Sequence, residues 1–145
     1  MKERFNLSES DPKANQAMLS LEKYIASSGL DKNLYELIKT RASQINGCAY
    51  CINMHTRDAM KMGETAQRLF LLDAWRETNL YSEKERAVLA LTEAMTLIAD
   101  AAVPDEVYDA AKAQFTNKEF AAVMMAIVTI NAWNRIAITS QKALD

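Results

Sequence analysis

The chain has 145 residues, half of them hydrophobic and a quarter charged, and its formal net charge is -2. This length and composition predict one globular domain over residues 1–145. The scattered basic residues and the slightly negative charge argue against nucleic-acid binding. The longest apolar stretch, 120–130, is shorter than the roughly 20 residues of a membrane span, and residues 1–6 lack the apolar core of a secretory signal. We therefore expect no membrane association and a reducing, cytoplasmic location.

The first half of the chain carries the start and stop signals of four helices. Asp11 and Pro12 are an N-cap and a first-turn proline, and Asp31 can cap the next helix. Glycine ends helices readily, because it adopts the left-handed conformation without a Cβ clash. The predicted helices run from Pro12 to a stop at Gly29, from Asp31 to Asn46-Gly47, from about Cys48 to Met62 and from Glu64 to about Trp75.

The second half contains two capping boxes, Ser82 with Glu85 and Thr116 with Glu119. They open an amphipathic helix and the last helix, which runs to about Ser140; a helix between them begins after Pro104. No period-2 alternation is present, so the sequence predicts an all-α fold of about seven helices. The last helix is apolar around much of its circumference. Burial in the core and a subunit interface explain this pattern equally well.

The chemical signal is the run Cys48-Ala-Tyr-Cys51-Ile-Asn-Met-His55, which contains both cysteines and the single histidine of the chain. In a helix, Cys48 and Cys51 share one face with Cα atoms about 5 Å apart, a separation that a disulfide tolerates. His55 follows Cys51 by one turn and lies on the same face. Free backbone N–H groups at a helix start also stabilise a thiolate. This combination predicts a reversible dithiol/disulfide centre.

Two other interpretations stay open. Cys48, Cys51 and His55 supply three ligands, as in an open zinc site, although ligands spread along one helix fit a metal less well than ligands from separate elements. The two cysteines could also pack as inert small hydrophobes. Covalent haem attachment is excluded, because Ile52 stands where that motif requires a histidine.

The segment resembles the alkylhydroperoxidase D-like branch of the carboxymuconolactone decarboxylase family. Glu36 lies twelve residues before Cys48, which is the spacing that branch shows, and residues 41–48 are similar to its lead-in to the cysteine motif. Residues 130–136 resemble the end of its small single-domain members. The likeness extends from about Leu34 to Ile138.

The resemblance implies an all-helical fold, disulfide-forming cysteines and reduction of an organic hydroperoxide. It assigns Glu36 and His55 to a proton relay, Cys51 to attack on the peroxide and Cys48 to resolution. It implies no cofactor and no metal, an external dithiol reductant of the lipoamide or thioredoxin type, and a homo-oligomer, either trimer or hexamer. Tyr50 stands where the best-studied members have a second histidine. The alternative is a thiol-disulfide oxidoreductase without peroxidase specificity; lactone decarboxylation is not implied, because that branch lacks the cysteine pair.

Overall fold

The computed structural model describes residues 2–144; Met1 and Asp145 of the predicted domain lie outside the described residues. Within that range every regular element is helical, which confirms the all-α prediction. The described residues form eight α-helices and one 3₁₀-helix, rather than about seven helices. The elements are α1 (Leu7–Ser10), α2 (Pro12–Ser27), α3 (Lys32–Asn46), α4 (Ala49–Lys61), α5 (Ala66–Phe70), the 3₁₀-helix (Leu72–Glu77), α6 (Glu83–Thr96), α7 (Asp105–Lys112) and α8 (Asn117–Ser140).

Two features of the fold account for the extra elements. The side chain of Asn6 accepts hydrogen bonds from the backbone N–H groups of Ser8 and Glu9 and so starts the short helix α1. The predicted helix over 64–75 is instead divided into α5 and the 3₁₀-helix. Leu72 and Trp75 are both buried. A 3₁₀-helix has three residues per turn, so it directs residues three apart to the same side.

The predicted caps of α6 and α8 are present. The backbone N–H of Ser82 donates to the Glu85 carboxylate at 2.7 Å, and that of Glu85 donates back to the Ser82 hydroxyl at 3.2 Å. Thr116 and Glu119 make the same reciprocal pair at 2.8 and 3.3 Å. Each box satisfies backbone donors that the first turn of a helix leaves free. These local signals explain why the starts of both helices could be predicted.

Helix α8 is the central helix of the fold and contacts α2, α3, α4, α6 and α7. At 24 residues, it is longer than the predicted apolar stretch, and by length and composition alone it could span a bilayer. Its packing against five helices accounts for part of this apolar character as core burial. Met124, Val128 and Ile138 nevertheless remain exposed on it. A subunit interface on this helix therefore stays a prediction.

The carboxylate of Glu93 on α6 joins three elements. It accepts hydrogen bonds from Arg41 Nε of α3 at 2.9 Å and from Trp75 Nε1 of the 3₁₀-helix at 2.8 Å, and it also pairs with Arg76. Burial alone would raise the pKa of Glu93, but these hydrogen bonds outweigh it and hold the pKa below its ordinary value. This contact fixes α3 against α6.

Candidate active site

The cysteine motif begins at the turn between α3 and α4. Gly47 ends α3 in the left-handed conformation, with φ of 70°, and the backbone N–H of Cys48 then donates to the Ser43 carbonyl at 2.9 Å. This is the hydrogen-bonding pattern that commonly ends helices at glycine. Cys48 becomes the N-cap of α4, and its sulfur accepts the backbone N–H of Cys51 at 3.3 Å. The turn thus places Cys48 directly at the positive end of a helix.

Cys48 and Cys51 form a disulfide, with their Cα atoms 5.3 Å apart. This agrees with the separation expected from one helical turn. Both residues are only 2% exposed, and they pack against Ala137 of α8 and the partly buried Tyr50. The small side chain of Ala137 lets α8 lie close to the sulfur pair.

A buried polar network holds the end of α3 against α8. The side-chain amide of Asn46 donates to Asn131 Oδ1 at 3.0 Å and to Asn134 Oδ1 at 2.8 Å. Asn134, which is fully buried, donates in turn to the Ser43 hydroxyl at 3.0 Å. Asn46 and Ser43 lie immediately before the turn that carries Cys48. The network therefore fixes the position of the disulfide relative to α8.

His55 and Glu36 form the hydrogen bond that the predicted relay requires. Nδ1 of His55 lies 3.0 Å from Oε2 of Glu36, and both side chains are buried. The other carboxylate oxygen, Oε1, lies 2.6 Å from Nζ of Lys39, which is buried as well. One carboxylate is therefore shared between an imidazole and an ammonium group away from water. A neutral imidazole whose Nδ1 carries the proton would donate it to Glu36 and leave Nε2 free to accept one.

A second carboxylate, Glu22 of α2, lies beside this cluster. It accepts the hydroxyl of Tyr35 at 2.6 Å and the indole N–H of Trp133 at 3.1 Å. The Tyr35 ring also carries the Lys39 ammonium 3.8 Å from its centroid. Burial raises the pKa of Tyr35, and the Glu22 hydrogen bond and the negative charges of Glu22 and Glu36 raise it further. Tyr35 therefore remains a protonated donor at physiological pH.

A cavity of about 320 Å³ opens onto the cysteine motif between the N-terminal segment, α2, α4 and α8. Cys51, His55 and Glu22 lie on its wall, whereas Cys48 is not among the described residues that line it. The rest of the wall combines polar groups, among them Glu3 and Lys142, with an apolar set: Phe5, Leu7, Leu19, Met54, Trp133, Ile136 and Ala137. The cavity therefore offers a small apolar molecule access to Cys51.

The four predicted site residues lie together: Cys48 is bonded to Cys51, His55 follows Cys51 by one turn, and Glu36 is bonded to His55. Sequence reasoning missed Lys39, although its position three residues after Glu36 was a usable signal. In the disulfide form neither sulfur is free to bind a metal, so the three-ligand alternative applies to the reduced protein alone.

A family model and a curated protein both match the chain. Residues 12–94 match the model of the carboxymuconolactone decarboxylase family. Among curated proteins, the chain is 44% identical to the uncharacterized protein YdfG of Bacillus subtilis strain 168 over 138 residues, which is 95% of this chain and 94% of that protein.

Solved structures show the same fold. A protein of unknown function from Agrobacterium tumefaciens, which its description links to antioxidant defence and AhpD, superposes with a TM-score of 0.96 at 40% identity over 99% of both chains. An uncharacterized peroxidase-related protein from Ralstonia eutropha, described as an alkylhydroperoxidase AhpD core, reaches 0.82 at 17% identity over 95% of this chain and 74% of that one. The debrominase Bmp8 reaches 0.83 at 19% identity over 94% and 73%. The last two likenesses concern the fold alone.

Proposed function

The chain belongs to the carboxymuconolactone decarboxylase family, on its alkylhydroperoxidase D-like branch, and on this basis we propose that it is a thiol-dependent peroxidase for organic hydroperoxides. One observation carries the proposal. Cys51, half of a disulfide within one helical turn, shares the wall of an apolar cavity with His55, whose imidazole is hydrogen-bonded to Glu36.

The first half of the proposed cycle oxidises Cys51. In the reduced protein, Nε2 of His55 accepts the thiol proton, and the Cys51 thiolate attacks the terminal oxygen of the hydroperoxide. A sulfur–oxygen bond forms while the oxygen–oxygen bond breaks, which leaves Cys51 as a sulfenic acid and the alkoxide as leaving group. The alkoxide takes the proton from His55 and departs as the alcohol. Glu36 remains ionised and holds the imidazole in place.

The second half closes and then reopens the disulfide. The Cys48 thiolate attacks the Cys51 sulfenic acid, the sulfur–sulfur bond forms, and hydroxide leaves as water after gaining a proton. The sulfur of Cys48 already accepts the backbone N–H of Cys51, so the thiolate has a donor that stabilises it. An external dithiol then reduces the pair by two successive exchanges and is itself oxidised to a disulfide.

The cavity favours small apolar substrates over protein disulfides. Both cysteines are 2% exposed, so a folded protein, whether a disulfide substrate or a thioredoxin-type reductant, reaches them only after local rearrangement. The apolar wall, by contrast, can pack against the organic part of a hydroperoxide. This supports peroxidase activity over the alternative of a general thiol-disulfide oxidoreductase.

The partners belong to the same proposal. A lipoamide- or thioredoxin-type dithiol would regenerate the enzyme in the cytoplasm, where such reductants are kept reduced. We also propose a homo-oligomer, a trimer or hexamer, because Met124 and Val128 leave apolar surface exposed on α8. Light scattering after size-exclusion chromatography would give the number of subunits.

The test is turnover of cumene hydroperoxide with dihydrolipoamide as the reductant. Two matched variants separate the roles of the cysteines. Cys51→Ser should abolish peroxide consumption. Without added reductant, Cys48→Ser should consume one equivalent and stop at a sulfenic acid, which dimedone can trap and mass spectrometry can locate on Cys51.

Thiol titration before and after peroxide provides the control. Both thiols of the wild type should disappear together and return with the dithiol. Wild-type turnover by Cys51→Ser would contradict the assignment. A trapped sulfenic acid on Cys48 in that variant would show that the two cysteines have exchanged roles.

A further inference from the structure

Lys39 has no part in the cycle proposed above, yet it is buried beside the relay. Its ammonium lies 2.6 Å from Oε1 of Glu36, and each side chain of the pair is 9% exposed. Lysine is almost never buried this deeply unless it is paired. The centroid of the Tyr35 ring lies 3.8 Å from the ammonium and provides a second favourable contact for it. Glu22 in turn fixes this ring by accepting a hydrogen bond from its hydroxyl. Three side chains thus fix one cation on the far oxygen of the relay carboxylate.

Lys39 and His55 each contact the Glu36 carboxylate directly, and the charges of these three groups balance when His55 is neutral. Lys39 contributes one positive charge and Glu36 one negative charge, and the imidazole bonded to Glu36 then adds none. The nearby Glu22 carboxylate is held instead by two donors of its own, the Tyr35 hydroxyl and the Trp133 indole N–H. Without the lysine, the buried Glu36 carboxylate loses the cation that contacts it, and burial then favours uptake of a proton by the Glu36–His55 pair. That proton could sit on His55 as a second ring N–H, or on Glu36, which would then donate to Nδ1. In both cases Nε2 of His55 carries a proton.

We propose that Lys39 is a positioning residue of the relay: by balancing the charge of Glu36, it keeps Nε2 of His55 free to accept the proton of Cys51. The inference extends the peroxidase function proposed above and depends on it for its catalytic meaning. Lys39 is not among the described residues that line the cavity, so it acts through Glu36 and not on the substrate.

The test uses the fact that the chain has a single histidine. Nitrogen-15 NMR of the imidazole therefore gives one unambiguous pair of ring signals, which report the protonation of Nδ1 and Nε2 separately. The wild type should show a proton on Nδ1 and none on Nε2 at neutral pH. Lys39→Met should move the proton onto Nε2, while Lys39→Arg, which keeps the charge, should retain the wild-type signals.

The catalytic readout is turnover of cumene hydroperoxide. Lys39→Met should lower kcat at least about 10-fold, and Lys39→Arg should recover most of the loss. Lys61→Met is the matched control. Lys61 pairs with Asp58 at 3.0 Å with the same three-residue spacing, but its side chain is 70% exposed. This variant should keep both the imidazole signals and the rate of the wild type.

The outcomes separate this inference from the peroxidase proposal. An unprotonated Nε2 in Lys39→Met, or a protonated Nε2 in the wild type, would overturn the role of Lys39 whatever the enzyme activity. A wild type that reduces no hydroperoxide would defeat the peroxidase proposal, while the NMR result on Lys39 would still stand. If Lys39→Met does not fold, Lys39→Gln removes the same charge but keeps a hydrogen-bond donor for Glu36, and the same shift is expected.

Discussion

Replacing Asn134 by leucine should destabilise the protein, because this side chain ties α8 to the end of α3 just before the cysteine motif. Asn134 is fully buried and makes two hydrogen bonds, at 2.8 Å to Asn46 and at 3.0 Å to Ser43. Leucine has nearly the same shape, so the main loss is polar. Two lost hydrogen bonds and a newly unpaired buried group cost about 2–4 kcal/mol in total. For a chain of this size, that lowers Tm by roughly 5–15 °C.

The assay is calorimetric unfolding of the oxidised protein at one fixed protein concentration, since association of subunits would shift Tm. Thr129→Val on the same helix is the matched control. The Thr129 hydroxyl is fully buried, and no atom of residues 2–144 hydrogen-bonds to it. Removing an unpaired buried hydroxyl should leave Tm unchanged or raise it by a few degrees. An equal fall in both variants, or a full wild-type Tm in Asn134→Leu, would refute the reasoning.

Three further predictions concern the contacts around the site. Folding lowers the pKa of Glu93, so the ionised side chain stabilises the folded protein. This stabilisation is complete above the pKa of about 4.3 that the group has in the unfolded chain, and it is lost as the pH falls through the pKa in the folded protein. Glu93→Gln should therefore lower the free energy of unfolding by about 1.5–3 kcal/mol at pH 7. Urea titrations should show that the difference between variant and wild type disappears below about pH 4. In the same urea titrations, Gly47→Ala should lower the free energy of unfolding by about 1–2 kcal/mol. This cost is purely conformational, since no atom lies within 4 Å of the added Cβ; a larger loss would mean a clash. Trp133→Phe removes a donor to Glu22 on the cavity wall, so steady-state kinetics should show KM for cumene hydroperoxide rising about 10-fold with little change in kcat. A fall in kcat alone would instead place Trp133 in the chemical step.

Local signals in the sequence predicted most of the fold. The capping boxes, the cap at Asp11 and the glycine stop at Gly47 are each satisfied by residues within a few positions, so the pattern alone identifies them. The division of the helix over 64–75 was missed, because burial of Leu72 against distant residues decided the backbone there.

The candidate site was predictable to the same extent. Cys48, Cys51 and His55 lie within one helix start, and the family spacing added Glu36. The partnership of Glu22 with Trp133 joins residues 111 positions apart, which no local pattern encodes. Lys39 was visible as a neighbour of Glu36, but its burial was not, since a lysine on a helix is ordinarily solvated.

The cavity wall has a consequence for how relatives could diverge. The family match over 12–94 encloses Glu36, Cys48, Cys51 and His55, whereas residues 3–8 and 133–142, which form much of the wall, lie outside it. The two outer segments are joined by the backbone N–H of Arg4, which donates to the Ser140 carbonyl at 2.8 Å. In the proposed enzyme, the cysteine pair and its relay would lie in one stretch of the sequence, while ten of the seventeen described residues that line the cavity lie in the two outer segments. Exchanging the two outer segments between homologues should therefore change which hydroperoxide is preferred and leave the cysteine pair intact.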